Sequence, residues 1–107
     1  MRRWQKIQER QSVVPEALDA TKEALVHIMN KYSIDSTVMV EIALAVGNAI
    51  KIQKTNGTEK EMILELRKVA MNVVKHKLAE RHMNTPDITQ AFEEKLDERL
   101  PSQFPED

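Results

Sequence analysis

Three histidines are the side chains of this sequence best suited to metal binding or acid–base chemistry: His27, His76 and His82. Glu23 precedes His27 by four residues and Glu80 follows His76 by four, so each pair shares a face if its segment is helical. A zinc site needs three or four ligands, and no His-Glu-x-x-His pattern is present. We therefore interpret both pairs as surface pairs and predict neither a metal nor another cofactor.

The short motifs that assemble catalytic groups are also missing. There is no phosphate-binding loop, no Gly-x-Gly-x-x-Gly fingerprint and no Gly-x-Ser-x-Gly nucleophile turn. An enzyme would have to build a pocket from scattered polar groups, and Glu41, Asn48 and His27 are the set that this alternative would use. We predict that the protein is not an enzyme.

Composition indicates one small domain in a reducing compartment. A chain of 107 residues forms one domain with a single core. It has no cysteine, so disulfides and thiolate metal sites are excluded. The longest apolar stretch, residues 38–46, contains Glu41 and is far shorter than the ~20 residues that span a bilayer. No apolar segment follows the basic N-terminus, so we expect no signal peptide and a cytoplasmic location.

Charge is distributed in four alternating blocks. Residues 1–11 carry a net charge of +3, residues 12–50 carry −3, residues 51–82 carry +4 and residues 83–107 carry −5. Such blocks suit electrostatic contacts within the fold or between copies, although solvated helix faces are the explanation that we prefer. A DNA-binding domain usually has a net basic surface instead.

Helix start and stop signals predict an all-α fold, a bundle of four main helices with a short basic N-terminal helix or arm. Asp35-Ser36 begins one helix and Asn56-Gly57 ends it, Thr58 to Glu61 form a capping box, and Thr85-Pro86-Asp87 begins the last helix. The predicted domain limits are 1–11 for the arm, 12–100 for the bundle and 101–107 for a disordered tail.

The first thirty residues carry apolar side chains at alternating spacings of three and four, which predicts one contact seam along a helix. Pro15 interrupts this pattern, and a proline inside a helix costs about 3 kcal/mol. We therefore predict a break or kink near Ser12, with the main helix running to about Tyr32. The short arm must dock on the core or on a partner, with Trp4 and Ile7 as its contacts.

The next two helices have more apolar surface than one flat contact needs. Residues 36–55 are apolar around most of the helix, which predicts a central helix in which Gly47 allows close approach of a neighbour. Residues 58–83 carry a main apolar face and a second stripe at seven-residue spacing, formed by Leu64, Met71 and Leu78. This second stripe indicates either packing on two sides or a subunit interface.

Residues 78–92 resemble a helix-turn-helix. The resemblance rests on a small residue at Ala79, a capping Thr85, and apolar Ile88 and Phe92. It implies DNA binding through Thr89 and Gln90 in a groove, with Arg2, Arg3, Lys75 and Arg81 on phosphates. The turn lacks the usual glycine, and the would-be recognition helix carries several carboxylates, which repel phosphate. The segment also resembles the end of a histone fold, whose Arg-Thr loop pairing is missing here.

We therefore expect a small cytoplasmic interaction or regulatory protein that acts through helix–helix contacts. Its expected partner is a second copy in a homodimer, or else another protein, and no membrane. The predicted interface residues are Trp4, Ile7, Leu64, Met71 and Leu78. The alternative is a DNA-binding regulator that uses residues 78–92.

Overall fold

The computed structural model describes residues 2–54 and 57–102, with side chains from residue 13 onward. Over these ranges the chain forms four helices and no strand: α1 (Arg2–Tyr32), α2 (Ser36–Ile52), α3 (Glu59–Glu80) and α4 (Pro86–Asp97). The predicted all-α bundle of four main helices is confirmed. The predicted disorder of residues 101–107 falls largely on residues 103–107, which lie outside the described ranges.

The capping residues begin their helices as predicted. The Asp35 side chain accepts a hydrogen bond from the Thr37 amide at 2.8 Å. The Glu61 amide donates to Thr58 Oγ1 at 3.2 Å, and Glu61 in turn accepts from the Thr58 amide, so the capping box is complete. Thr85 accepts from the amide three residues on. These bonds satisfy amides that have no partner within the helix.

The predicted separation of the first helix into two pieces is wrong. Helix α1 runs continuously from Arg2 to Tyr32 with Pro15 inside it. Pro15 is exposed, whereas Val13 and Ala17 on either side of it are buried. Packing of these flanking residues therefore offsets the hydrogen bond that a proline removes from the helix.

The buried face of α1 differs from the seam that large residues alone predict. Small side chains form the centre of the buried face. Leu18 and Tyr32, two large residues that follow the spacing of three and four, are only half-buried. The buried positions are Val13, Ala17, Ala20, Thr21, Ala24, Leu25 and Ile28. The Thr21 hydroxyl donates to the Ala17 carbonyl at 2.8 Å, so its burial leaves no polar atom unpaired.

The central helix is α1 rather than α2. In the described part of the chain, α1 packs extensively on each of the other three helices. Helix α3 also contacts all three but touches α4 only slightly, whereas α2 contacts only α1 and α3. The prediction of α2 as the central helix is therefore wrong: two neighbours cover one side of α2 and leave the other to solvent. Helix α2 is therefore apolar on its exposed side as well as on its buried side, and the described part of the chain covers only the buried side.

Gly47 does not serve a close helix approach. A Cβ atom added at Gly47 would meet Leu18 Cδ2 at 3.9 Å, an ordinary van der Waals contact. The expectation that α1 and α2 need a glycine there is therefore wrong. Gly57 is different, because its φ of +105° is a conformation that side chains disfavour. An added Cβ would also lie 2.6 Å from Glu61 Oε2.

Two arginines attach the C-terminal end of α4 to its neighbours. Arg67 on α3, with 12% of its side chain exposed, donates to Asp97, to Glu93 at 3.0 Å and to the Leu100 carbonyl at 3.1 Å. Arg99, just past α4, donates twice to Glu16 of α1, at 2.7 Å each. The Arg67 pairs join the basic block 51–82 to the acidic block 83–107, whereas Arg99 and Glu16 both come from blocks of net negative charge.

Candidate interaction surface

Three of the five large apolar side chains that are exposed in the described chain lie on the outward face of α2. The inward face buries Val38, Met39, Ile42, Val46 and Ile50. On the opposite side Val40, Leu44 and Ile52 are 58%, 64% and 79% exposed. Positions four apart stack along one side of a helix, so these residues and Asn48 form a ridge that we call the α2 ridge.

Polar groups lie beside and between the apolar members of the α2 ridge. Glu41 forms an ion pair with Arg81, which reaches over from the end of α3. Lys51 is exposed and has no ion-pair partner among the residues that the structure describes. At the end of the helix, Gln53 Nε2 donates to Glu65 Oε1 at 3.2 Å. The ridge thus has an acidic group near its start and a basic group near its end.

Met71 and Leu78 belong to the core. They are 6% and 0% exposed, so ordinary packing accounts for both, and the folded chain offers neither side chain to a partner. Leu64, the third member of the predicted stripe, is 40% exposed and lies on the surface of α3. The seven-residue spacing therefore describes a stripe that is covered at two of its three positions.

The remaining predicted contacts involve the start of α1. The side chains of Trp4, Ile7, Arg2 and Arg3 lie outside the described residues, so their predicted roles stay predictions. The backbone of this segment is helical and continuous with the rest of α1.

Lys75, Thr89 and Gln90 are brought together by the fold. They line an open cleft of about 380 Å³ between α3 and α4, which they share with three carboxylates and a proline: Glu93, Glu94, Asp97 and Pro86. The Thr89 hydroxyl donates to the Thr85 carbonyl at 3.1 Å. The Gln90 amide donates to Glu94 at 3.0 Å. Both predicted base-reading side chains are therefore engaged within their own helix.

Arg81 does not join that cleft, because its guanidinium pairs with Glu41 on α2.

The turn between α3 and α4 has a conformation that the sequence does not predict. His82 adopts a φ of 57°, and the Met83 amide donates to the Leu78 carbonyl at 2.8 Å. This is a Schellman ending of the helix in which His82 occupies the position that glycine usually takes.

The histidines lie on separate surfaces. His76 Nε2 lies 3.2 Å from Glu80 Oε1 on the exposed side of α3. His27 is half-buried in a groove that it shares with Glu23, Val26 and two lysines. Within residues 2–54 and 57–102, no three potential metal-binding side chains approach closely enough to hold an ion. The residues of the alternative catalytic set are also separated. Glu41 and Asn48 are exposed on α2, with Glu41 beside Arg81, whereas His27 lies in a groove of α1 that neither of them lines.

Glu16 and Asp35 are the two acids among the described residues whose pKa is clearly lowered; hydrogen bonds from Thr37 lower that of Asp35 at its helix cap. Hydrogen bonds from the Arg99 guanidinium hold the pKa of the Glu16 carboxyl below its ordinary value, and burial only partly opposes this. The pair joins α1 to the end of α4 and lies in no cleft that would bind a substrate. Its role is therefore to hold the helices together.

Comparison with known proteins gives no family for this chain. It matches no protein-family model, no curated protein and no solved structure. The described helices include none that is both long and apolar enough to cross a bilayer. A function must therefore be argued from the surface of the bundle itself.

Proposed function

We propose that this chain is a non-enzymatic interaction protein, of regulatory type, that acts through helix–helix contacts and forms a homodimer. The observation that carries the proposal is the α2 ridge. Its three apolar side chains are each more than half exposed on one side of a helix whose other side is firmly packed. Single exposed apolar residues are ordinary, but aligned groups of them mark contact surfaces.

The magnitudes favour a reversible association. Full burial of one such side chain contributes about 1.5–3 kcal/mol, so the exposed parts of three side chains from each of two copies contribute roughly 6–12 kcal/mol. Association costs an estimated 4–15 kcal/mol in lost freedom. Because gain and cost are of the same order, we expect a dimer whose population depends on protein concentration.

The polar groups give less support to catalysis. A binding pocket for a small molecule is usually enclosed and mostly apolar, with a few convergent polar groups. The clefts lined by Thr89 and by His27 are open, and several of their charged groups pair with neighbours on the surface, as Lys95 does with Glu98 at 2.9 Å. We therefore keep the proposal non-enzymatic. The lack of cysteine supports a cytoplasmic location as part of the same proposal.

Light scattering on a sizing column tests the proposal. Over a roughly hundredfold range of concentration, the mass should rise from 12.3 kDa toward twice that value. Leu44→Asp should shift the equilibrium to monomer, because the charge would have to be buried. Val26→Asp is the matched control, since it places the same charge on an apolar surface position of α1 that is 43% exposed and lies outside the predicted interface. A chain that stays monomeric at the highest concentration would contradict self-association.

DNA binding remains the alternative. The cleft that gathers Lys75, Thr89 and Gln90 favours it, whereas the three carboxylates in the same cleft oppose phosphate. A DNA-binding protein would retain a duplex at low salt and release it steeply as salt rises. Absence of binding at low salt would remove this alternative, and binding that Lys75→Glu abolishes would establish it over the proposed function.

A further inference from the structure

We infer that the occupant of the α2 ridge is the α2 ridge of a second copy, running antiparallel about a two-fold axis near residue 46. This inference rests on the proposed homodimer and adds the surface and the direction of pairing. The helix itself carries the argument, because its outward residues are arranged symmetrically about that position.

The symmetry is of two kinds. Val40 and Ile52 lie six residues before and after Val46, and both are exposed and apolar. Glu41 and Lys51 lie five residues before and after it, and they carry opposite charges. Val46 itself is buried, so the axis would pass between Leu44 and Asn48 on the outer side of the helix.

Charge decides between the two possible directions. In an antiparallel pair, Glu41 of each copy comes level with Lys51 of the other. In a parallel pair, carboxylates would face carboxylates and ammonium groups would face ammonium groups. Antiparallel helices also place opposite ends of their dipoles together. Complementary charges fix direction and register more than they add affinity.

The intramolecular contacts leave room for this arrangement. Glu41 already pairs with Arg81, but a carboxylate has two oxygens and accepts several hydrogen bonds. Lys51 is exposed and, among the described residues, has no ion-pair partner, so the second copy would supply one. Asn48 lies near the axis and level with the partner's Leu44, so its amide would have to be hydrogen-bonded within the contact, to its own helix or to a trapped water.

Cysteine cross-linking tests the direction, because the natural chain has no cysteine to interfere. An antiparallel pair about residue 46 places position 44 level with position 48 of the partner, within disulfide reach. Position 40 would lie about 18 Å along the axis from position 40 of the partner. A mixture of Leu44→Cys and Asn48→Cys chains, one carrying a mass label, should therefore form a mixed disulfide at least about tenfold faster than Val40→Cys forms its own dimer.

The other outcomes are distinct. Rapid disulfide formation by Val40→Cys would show a parallel pair and overturn the inference. A dimer by light scattering that neither cysteine arrangement captures would mean that the copies use another surface, so the inference would fail while the proposed homodimer stands. A monomer at every concentration would contradict both. Binding of the ridge to a different protein would then be the remaining explanation of its exposure.

A charge reversal tests the pairing independently. Lys51→Glu should weaken the dimer about threefold to tenfold, because each contact would then face two carboxylates. Lys68→Glu is the matched control. Lys68 is exposed on α3, and its replacement changes the net charge equally at a position outside the α2 ridge. Equal effects of the two variants would show that only net charge matters and would overturn the charge argument. Circular dichroism of both variants checks that the helices remain intact.

Discussion

Helices α2 and α4 contact the same central helix, α1, without touching each other, yet they present opposite kinds of surface. Helix α4 buries Ala91, Phe92 and Leu96, and its other side carries charged residues. Helix α2 also buries one side but leaves apolar residues on the other. The comparison shows that an apolar helix sequence predicts burial, but does not say against what. The number of neighbouring helices determines whether those residues are buried within the chain itself.

The two helices are also attached differently. Polar contacts hold α4 at both ends: Tyr32 Oη donates to the Asp87 carbonyl at 3.2 Å near its start, and Arg67 and Arg99 hold its end. Helix α2 is attached chiefly by its apolar inner face, with one ion pair to Arg81 on its flank. Substitutions should therefore show how much stability comes from buried apolar residues, from exposed ones and from the polar contacts between helices.

The largest difference is expected between Phe92→Ala on α4 and Leu44→Ala on the α2 ridge. Phe92 is fully buried, so its truncation should lower the free energy of unfolding by about 3–5 kcal/mol. Leu44 is mostly exposed, so its truncation should change the stability of the monomer by less than about 0.5 kcal/mol. Urea denaturation at low protein concentration measures both values. A large loss from Leu44→Ala under those conditions would show that the monomer itself covers the α2 ridge.

The starts of α2, α3 and α4 were the part of the fold that local chemistry could predict. The predicted helix ends were less accurate, since α2 ends at Ile52 rather than at Asn56-Gly57 and α3 ends at Glu80 rather than at residue 83. The caps at Asp35, Thr58 and Thr85 act within three residues along the chain, so sequence alone specifies them. The predicted break near Ser12 was wrong, because the packing around Pro15 depends on other helices.

The candidate site depended on contacts between distant residues, which the sequence does not display. Residues 36–55 are apolar around most of the helix, and only the arrangement of the neighbouring helices shows that one side stays open. The stripe of Leu64, Met71 and Leu78 has one spacing but two different environments. The left-handed conformation of His82 is equally hidden, since a histidine replaces the glycine that would have signalled it.

An intermediate effect should test the polar attachment of α4. Arg67→Gln removes charged hydrogen bonds to Asp97, Glu93 and the Leu100 carbonyl, which should cost about 1.5–3 kcal/mol. The two carboxylates are each at least 40% exposed and can be hydrated after the change, so we expect the lower half of that range. Lys68→Gln, one residue away and exposed, removes the same charge and should change stability by less than about 0.5 kcal/mol. Similar losses in both variants would mean that Arg67 acts only through net charge.

The smallest effects, opposite in sign, are expected at the two glycines, Gly47 inside α2 and Gly57 just before the start of α3. Gly47→Ala should raise the free energy of unfolding by about 0.5–1 kcal/mol, because alanine favours the helix and its Cβ has room beside Leu18. Gly57→Ala should lower it by about 1 kcal/mol or more, because a φ of +105° is strained for alanine and Glu61 would have to move. Thermal denaturation of both variants under identical conditions measures the pair. A loss of stability from Gly47→Ala would contradict the distance of 3.9 Å between the added Cβ and Leu18 Cδ2. It would mean that α1 and α2 pack too closely at this position to accept a methyl group.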